Sequence, residues 1–220
     1  MADLKLILGN KNYSSWSLRP WIAMTHSGIR FDEEVVRLDF DGDGPNNAHL
    51  KAHSPAGRVP VLYHGDLRIW ESLAILEYVA ELFPEKALWP NDRQVRARAR
   101  TAANEMHAGF GALRSELPMN VRRTPARVGY TSSVQADINR IQEIWNGCRA
   151  DFGADGPFLF GNFSIADAMY APVVSRLAVY EIEQPGACAA YMDTMLTLPA
   201  YLDWKAAAQA EPWVIEAEEI

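Results

Sequence analysis

The chain has 220 residues, 49% of them hydrophobic and 22% charged, with a formal net charge of −7 at pH 7. That length and apolar content allow a large core, best split into a small α/β unit and a larger helical one, and the acidic balance disfavours a general nucleic-acid binder. No run of about 18 apolar residues is present, so no membrane helix is expected. The opening residues lack a basic and apolar leader, and the two cysteines, Cys148 and Cys188, have no metal-ligand spacing, which suits a reducing cytoplasm and argues against a disulfide scaffold or a zinc site.

In chain order, Leu4 to Leu8 is a compact apolar strand candidate, followed by a loop from Gly9 to Trp16. A helix from about Ser17 carries Leu18, Trp21, Ile22 and Met24 at helical spacing and stops at Gly28, with Pro20 in its first turn, where a missing N–H costs little. Phe31 to Leu38 reads as a second strand. Val59 to Tyr63 and Leu67 to Trp70 are short β-rich runs around the turn residues His64, Gly65 and Asp66, a likeness to an antiparallel hairpin. Pro60 lies within the first run and cannot donate to a ladder, so it marks an edge or a special backbone site where a cis bond is affordable. Such a site leaves the Val59 backbone free to pair with a short extended peptide. Glu71 and Ser72 then open a helix through Leu73, Leu76, Val79, Ala80 and Phe83 to Pro84, whose first N–H groups and positive dipole end face whatever anion lies there.

Strand signals stop near Phe83 to Pro90, which places a boundary between domains at residues 1–84 and 91–220. A long amphipathic helix is expected over Arg93 to Leu117 and another from about Ser132 to Phe152, joined by an Arg- and Pro-rich loop. The Arg93, Arg96, Arg98 and Arg100 cluster reads as a solvated or subunit-facing surface. Ser164 and Asp167 have the spacing of a capping box, a structural role, with Phe163 at the staple position opposite only Ala168, a weak contact.

The ordered combination of Val59-Pro60, a hairpin and Glu71-Ser72 at a helix start resembles the thioredoxin-like N-terminal domain of the cytosolic glutathione transferases. Leu198 to Trp204 resembles a late helix of the same proteins. The resemblance implies an α/β N-terminal thioredoxin-like domain (β-α-β-α-β-β-α) followed by an all-α helical domain, glutathione as co-substrate with no permanently bound cofactor, and a homodimer. Carried over by position, Val59 and Pro60 hold the cysteinyl part of glutathione, and Glu71 and Ser72 its γ-glutamyl end. Arg58 and Ser15 lie alongside, and Lys51 is placed for the glycyl carboxylate, although a solvated loop also accounts for His49, Lys51 and His53.

The loop Asn12 to Arg19 contains no cysteine, so the sulfur must come from a bound thiol rather than from a Cys-x-x-Cys couple. The loop is most similar to the Ser-Ser-Cys-Ser loop of the zeta class, with Trp16 in place of the cysteine, and that resemblance points to Ser14 as the hydroxyl that stabilises the glutathione thiolate. Ser17, a rival N-cap, and Tyr13, whose phenol donates well, compete for the same role. Lowering a thiol pKa by about two units from about 8.5 takes roughly 2.7 kcal/mol, within reach of a charge-assisted hydrogen bond plus a helix N-terminus. A small hydrophobic electrophile would bind against Trp16, with Met106, Phe110 and Leu113 as pocket liners, the competing reading of that stripe being core or dimer packing. His107 reads as a surface or core histidine. Conjugation is the leading activity expected; binding without turnover, maleylacetoacetate-like isomerisation, and peroxidase or dehalogenase chemistry are the alternatives.

Overall fold

The structure, a computed structural model, describes residues 3–38, 40, 41, 44, 45 and 48–220, with backbone alone for the four residues from 40 to 45. Strand β1 (Leu4–Leu8) pairs in parallel with β2 (Asp32–Val35), and the crossover between these parallel neighbours is made by α1 (Ser15–His26). Two-residue strands β3 (Phe40–Asp41) and β4 (Gly44–Pro45) form a separate small ladder. A hairpin, β5 (Val61–His64) and β6 (Leu67–Trp70), completes the main sheet in the order β2-β1-β5-β6, both of its pairings antiparallel. Gly65 turns the hairpin at φ +58, a conformation that costs glycine little. Helix α2 (Ser72–Leu82) follows.

Helices α3 (Arg93–Ala108), α4 (Gly111–Glu116), α5 (Ser132–Phe152), α6 (Ile165–Val179), α7 (Gly186–Leu196) and α8 (Pro199–Ala210) make the second part. The architecture is a thioredoxin-like α/β domain followed by a helical one. Helix α6 is apolar around its whole circumference and almost entirely buried, as a central helix must be. It packs against α1, α3 and α7, which makes the α1–α6 contact the seam between the two parts. The capping box at its start is formed: Asp167 accepts from the Ser164 amide (2.8 Å) and hydroxyl (2.9 Å) and from the Leu159 amide (3.1 Å). Phe163, with only Ala168 as a staple partner, packs instead on the His26 ring at 4.2 Å.

Several boundaries differ from the sequence expectation. The second strand is confined to Asp32–Val35, and Leu38 instead donates its amide to Asn10 Oδ1 at 2.6 Å. The helix expected between that strand and the hairpin is, among the described residues, a short 3₁₀ turn at Ala48–Ala52. Strand β5 starts after Pro60, not at Val59, and the Val59–Pro60 bond is cis. Helix α1 starts at Ser15 rather than Ser17, which moves Pro20 out of the first turn. Because Pro20 has no N–H, the Trp16 carbonyl loses its i+4 donor. Ser72 Oγ supplies the replacement at 2.8 Å, tying the start of α2 to the start of α1. The single helix expected over Arg93 to Leu117 breaks at Gly109 and Phe110, where Phe110 takes a left-handed φ of 57. Asp137 of α5 then accepts from the Leu113 amide at 2.9 Å and holds α4 in its new direction.

Candidate functional site

Two adjoining cavities of about 380 and 370 Å³ share Trp16, Arg58, Val59 and Arg114 and form one cleft between the two parts of the chain. The outer wall of the first is built by the hairpin and the start of α2. Among the described residues the Val59 backbone N–H and C=O make no hydrogen bond, because the β5 ladder begins only at Val61. Glu71, at φ 71, holds its carboxylate at the cavity wall from a backbone conformation that L residues rarely adopt. The first-turn amides of α2 have no intrahelical acceptor and no side-chain cap. The Ser72 hydroxyl is committed to Trp16 O, so what Ser72 offers a ligand as a donor is its backbone N–H.

The second cavity reaches the start of α1. Gly9 follows β1, where an added Cβ would meet Leu38 Cδ1 at 2.6 Å, so a larger residue would have to displace the Leu38 side chain. Ser14 is the N-cap of α1 and lines the cavity. Its Oγ lies 2.7 Å from Ser17 Oγ, which in turn accepts the Gly9 amide at 3.0 Å. Ser17 is fully buried and lines neither cavity; it backs Ser14 rather than facing a ligand. The Trp16 amide, at the first free turn of α1, carries no bond among the described residues. Ser15 lines the same cavity, and its carbonyl accepts Arg19 Nη1 at 2.8 Å.

Tyr13 lines the cavity with its ring, but its hydroxyl is taken. It donates to Glu219 and accepts from Arg122 Nη2 (2.7 Å) and the Ile215 amide (3.2 Å). Burial, then the bond to Glu219, pushes the phenol above its ordinary value, which makes it a poorer proton donor. The segment after α8 thus straps the loop from behind, with Glu211 accepting the Lys11 and Asn12 amides at 2.6 and 3.1 Å.

The remaining expected residues divide cleanly. Arg58, Val59, Pro60, Glu71 and Ser72 converge on the first cavity, while Lys51 is exposed on the 3₁₀ turn and lines neither. Met106, Phe110 and Leu113, expected as pocket liners, are core residues at 0%, 6% and 0% exposure, because the apolar stripe of α3 and α4 packs into the helical core. Of the expected second-substrate liners, Trp16 alone faces the cleft. The wall instead carries His107, Arg114, Arg176 and Glu218, which sequence reasoning missed. The His107 ring packs edge-on to Trp16 at 5.3 Å, with its Nδ1 buried and unpartnered among the described residues. For Arg114 the break at Gly109 was the usable signal; Arg176 had none, as it lies within an apolar helix.

The glutathione S-transferase N-terminal domain model matches residues 13–82, and the C-terminal domain model matches residues 93–194. The chain belongs to the glutathione S-transferase family. Within that family it is 39% identical to glutathione S-transferase 1 of Dianthus caryophyllus over 116 residues, 53% of this chain and 52% of that protein. It is 26% identical to the maleylacetoacetate isomerase of Rattus norvegicus over 172 residues, 77% of each. The chain therefore spans about half the length of the Dianthus transferase. A glutathione transferase homolog from Burkholderia gl BGR1, solved with bound glutathione, superposes with a TM-score of 0.71 at 20% identity, covering 95% of this chain and 100% of that one. The transferase fold is thus shared at a level of identity that carries no residue roles. Among the described residues, no helix is long and apolar enough to cross a membrane, and no cluster of His, Cys, Asp or Glu has metal-site geometry.

Proposed function

We propose that the protein is a glutathione transferase that stabilises the glutathione thiolate at Ser14 for attack on an electrophile in the second cavity. The observation that carries this reading is the convergence of three recognition elements on one cleft: the unpaired Val59 backbone, the uncapped start of α2 beside Glu71, and the Ser14 hydroxyl at the start of α1. An extended γ-glutamyl peptide pairs its cysteinyl unit with Val59, its ammonium with Glu71 and its α-carboxylate with the α2 amides. Arg58 is the cation for the glycyl carboxylate, since it lines both cavities and Lys51 lines neither.

The thiolate then lies against Ser14. Without ligand, Ser17 Oγ accepts from both Gly9 N–H and Ser14 Oγ; on glutathione binding the Ser14 proton turns to sulfur and the Ser17 proton turns to Ser14, a polarised chain in which Ser17 is a positioning residue. The Trp16 amide adds a second donor at the positive end of α1. Together they supply the roughly 2.7 kcal/mol needed to lower the thiol by about two units. Isomerisation or peroxide reduction through the same thiolate differs in product rather than in this geometry.

Calorimetric titration with reduced glutathione, with the ultraviolet absorbance of the thiolate followed against pH, tests the reading. Wild type is expected to bind and to show thiolate below the free thiol pKa, and Ser14→Ala to bind while its thiol pKa rises by about one unit, the value of one charge-assisted hydrogen bond. Binding without any thiolate would favour a ligand-binding protein without turnover, and absence of binding would refute the reading.

A further inference from the structure

The deep end of the second cavity holds more positive charge than glutathione can use. Arg176 is 4% exposed and spends Nε and Nη1 on the Leu117 and Pro172 carbonyls, at 2.8 and 3.3 Å. Its Nη2 has no partner among the described residues, and no carboxylate lies within ion-pair distance. Arg114 spends only Nε, on Gly109 O at 3.1 Å, and its guanidinium stands 5.5 Å from the centre of the Trp16 ring. Arg19, which lines neither cavity, is fully buried, 4.0 Å from the Trp16 ring, with Nη2 unpartnered. Four other guanidiniums of the described residues are paired with carboxylates: Arg100 with Glu77, Arg122 with Glu219, Arg127 with Glu183 and Arg140 with Glu105. Glu218 is the one carboxylate lining this end of the cleft among the described residues, and it faces Arg176 without touching it.

Crowding three guanidiniums at a buried site is costly. Burial lowers Arg176 to about 10, with Glu218 opposing and Arg114 adding to the fall, and Arg19 is lowered well below its ordinary value by burial and then by Arg176 and Arg114. Such a cluster is sustained by an anion that arrives with the ligand. Glutathione's own charges are already met by Glu71, the α2 amides and Arg58, which leaves Arg114 and Arg176 unclaimed.

We propose that Arg114 and Arg176 bind a carboxylate of the second substrate, making the protein a transferase for small acidic electrophiles rather than neutral hydrophobic ones. The inference rests on the glutathione reading above. With the carboxylate fixed at the arginines and the reactive carbon toward Ser14, the thiolate sulfur forms a bond to the β-carbon of an activated alkene. The alkene π pair moves onto the carbonyl as an enolate, and the α-carbon takes a proton from water. Glu218 occupies the field of the same arginines and competes with the incoming carboxylate.

Ethacrynate and its methyl ester provide the test, because they share one enone and differ in a carboxylate remote from it. The ratio of their kcat/KM values is measured for wild type, Arg114→Met and Glu218→Gln, with glutathione affinity measured on each protein by calorimetry. The acid is expected to be preferred by wild type, the acid-to-ester ratio to fall about 30-fold in Arg114→Met, the value of a charge-assisted pair, and to rise about threefold in Glu218→Gln as a nearby like charge is removed. Acid and ester falling together, or a loss confined to glutathione affinity, overturns the inference and leaves the transferase reading standing. Failure of wild type to bind glutathione refutes that reading instead.

Discussion

Replacing Arg122 by alanine should open the strap behind the loop that precedes α1 without unfolding the protein. The Arg122 guanidinium donates to the carbonyls of Glu211 (3.0 Å) and Trp213 (2.9 Å) and to the Tyr13 hydroxyl (2.7 Å), with a looser ion pair to Glu219 at 3.4 Å. Bonds from a charged donor contribute about 1.5–3 kcal/mol when buried, and about 0–1 kcal/mol for an exposed ion pair. Arg122 is about a fifth exposed, so a loss of about 2 kcal/mol is expected in total, or about 30-fold in a local opening equilibrium. Three amides report that opening: Lys11 and Asn12, which donate to Glu211, and Ile215, which donates to Tyr13. Hydrogen exchange at these three should accelerate about 30-fold in Arg122→Ala, with amides in the middle of α6 unchanged, because local opening leaves the core closed. Equal acceleration throughout α6, or less than about a threefold change at the three reporters, would refute the strap.

Two further outcomes follow from the capping box and the strained N-cap. Asp167→Asn keeps one acceptor where three donors converge and should cost about 2–4 kcal/mol in urea denaturation at pH 7. Burial raises the Asp167 carboxyl from 3.8 to about 6, so the folded state binds the proton more tightly and wild-type stability falls as pH rises through that window. The gap between wild type and Asp167→Asn should therefore be about 1–2 kcal/mol wider at about pH 4.5 than at pH 7, and a narrower gap in acid would contradict the shift. At Glu71, φ 71 penalises alanine but not glycine, so Glu71→Gly should be more stable than Glu71→Ala by about 0.5–1 kcal/mol, against the usual order at the edge of a helix. Denaturation midpoints in the reverse order would show that the backbone there is unstrained.

What could be read from the sequence was local. Val59-Pro60, the Gly65 turn, Glu71-Ser72, Ser164 with Asp167 and the whole of α5 each declare themselves within a few residues, through a missing amide, a turn residue or a cap. What escaped depends on distance. The stripe through Met106, Phe110 and Leu113 keeps helical spacing across the break, so the apolar spacing alone, without weight given to Gly109, does not reveal that Phe110 leaves the helix or that all three turn into the core. The start of α1 was read two residues late because Ser17 resembles a cap, yet its hydroxyl is spent on Gly9 and Ser14. From the sequence Tyr13 offers a phenol with no local partner, because its partners, Arg122, Ile215 and Glu219, lie more than a hundred residues away. Arg176 was invisible for a related reason: a cation inside an apolar helix has no meaning until the cavity beside it is known.

The break between α3 and α4 makes the chemistry of the cleft a matter of chain length as much as residue identity. Arg114 reaches the cavity because the chain leaves α3 at Gly109, turns through Phe110 and restarts with Asp137 gripping the Leu113 amide. Each residue of an α-helix advances the side-chain direction by about 100°. Inserting or deleting one residue at the joint would rotate every side chain of α4 by that step if α3 and α5 stayed in place, carrying Arg114 off the wall and putting Leu113, for an insertion, or Ser115, for a deletion, in its place. A single such event exchanges a cationic wall for a neutral one while the core stripes on α3 and α5 keep their register. Substrate range in this scaffold can therefore drift by changes of length at one joint, without a substitution at any residue that touches glutathione.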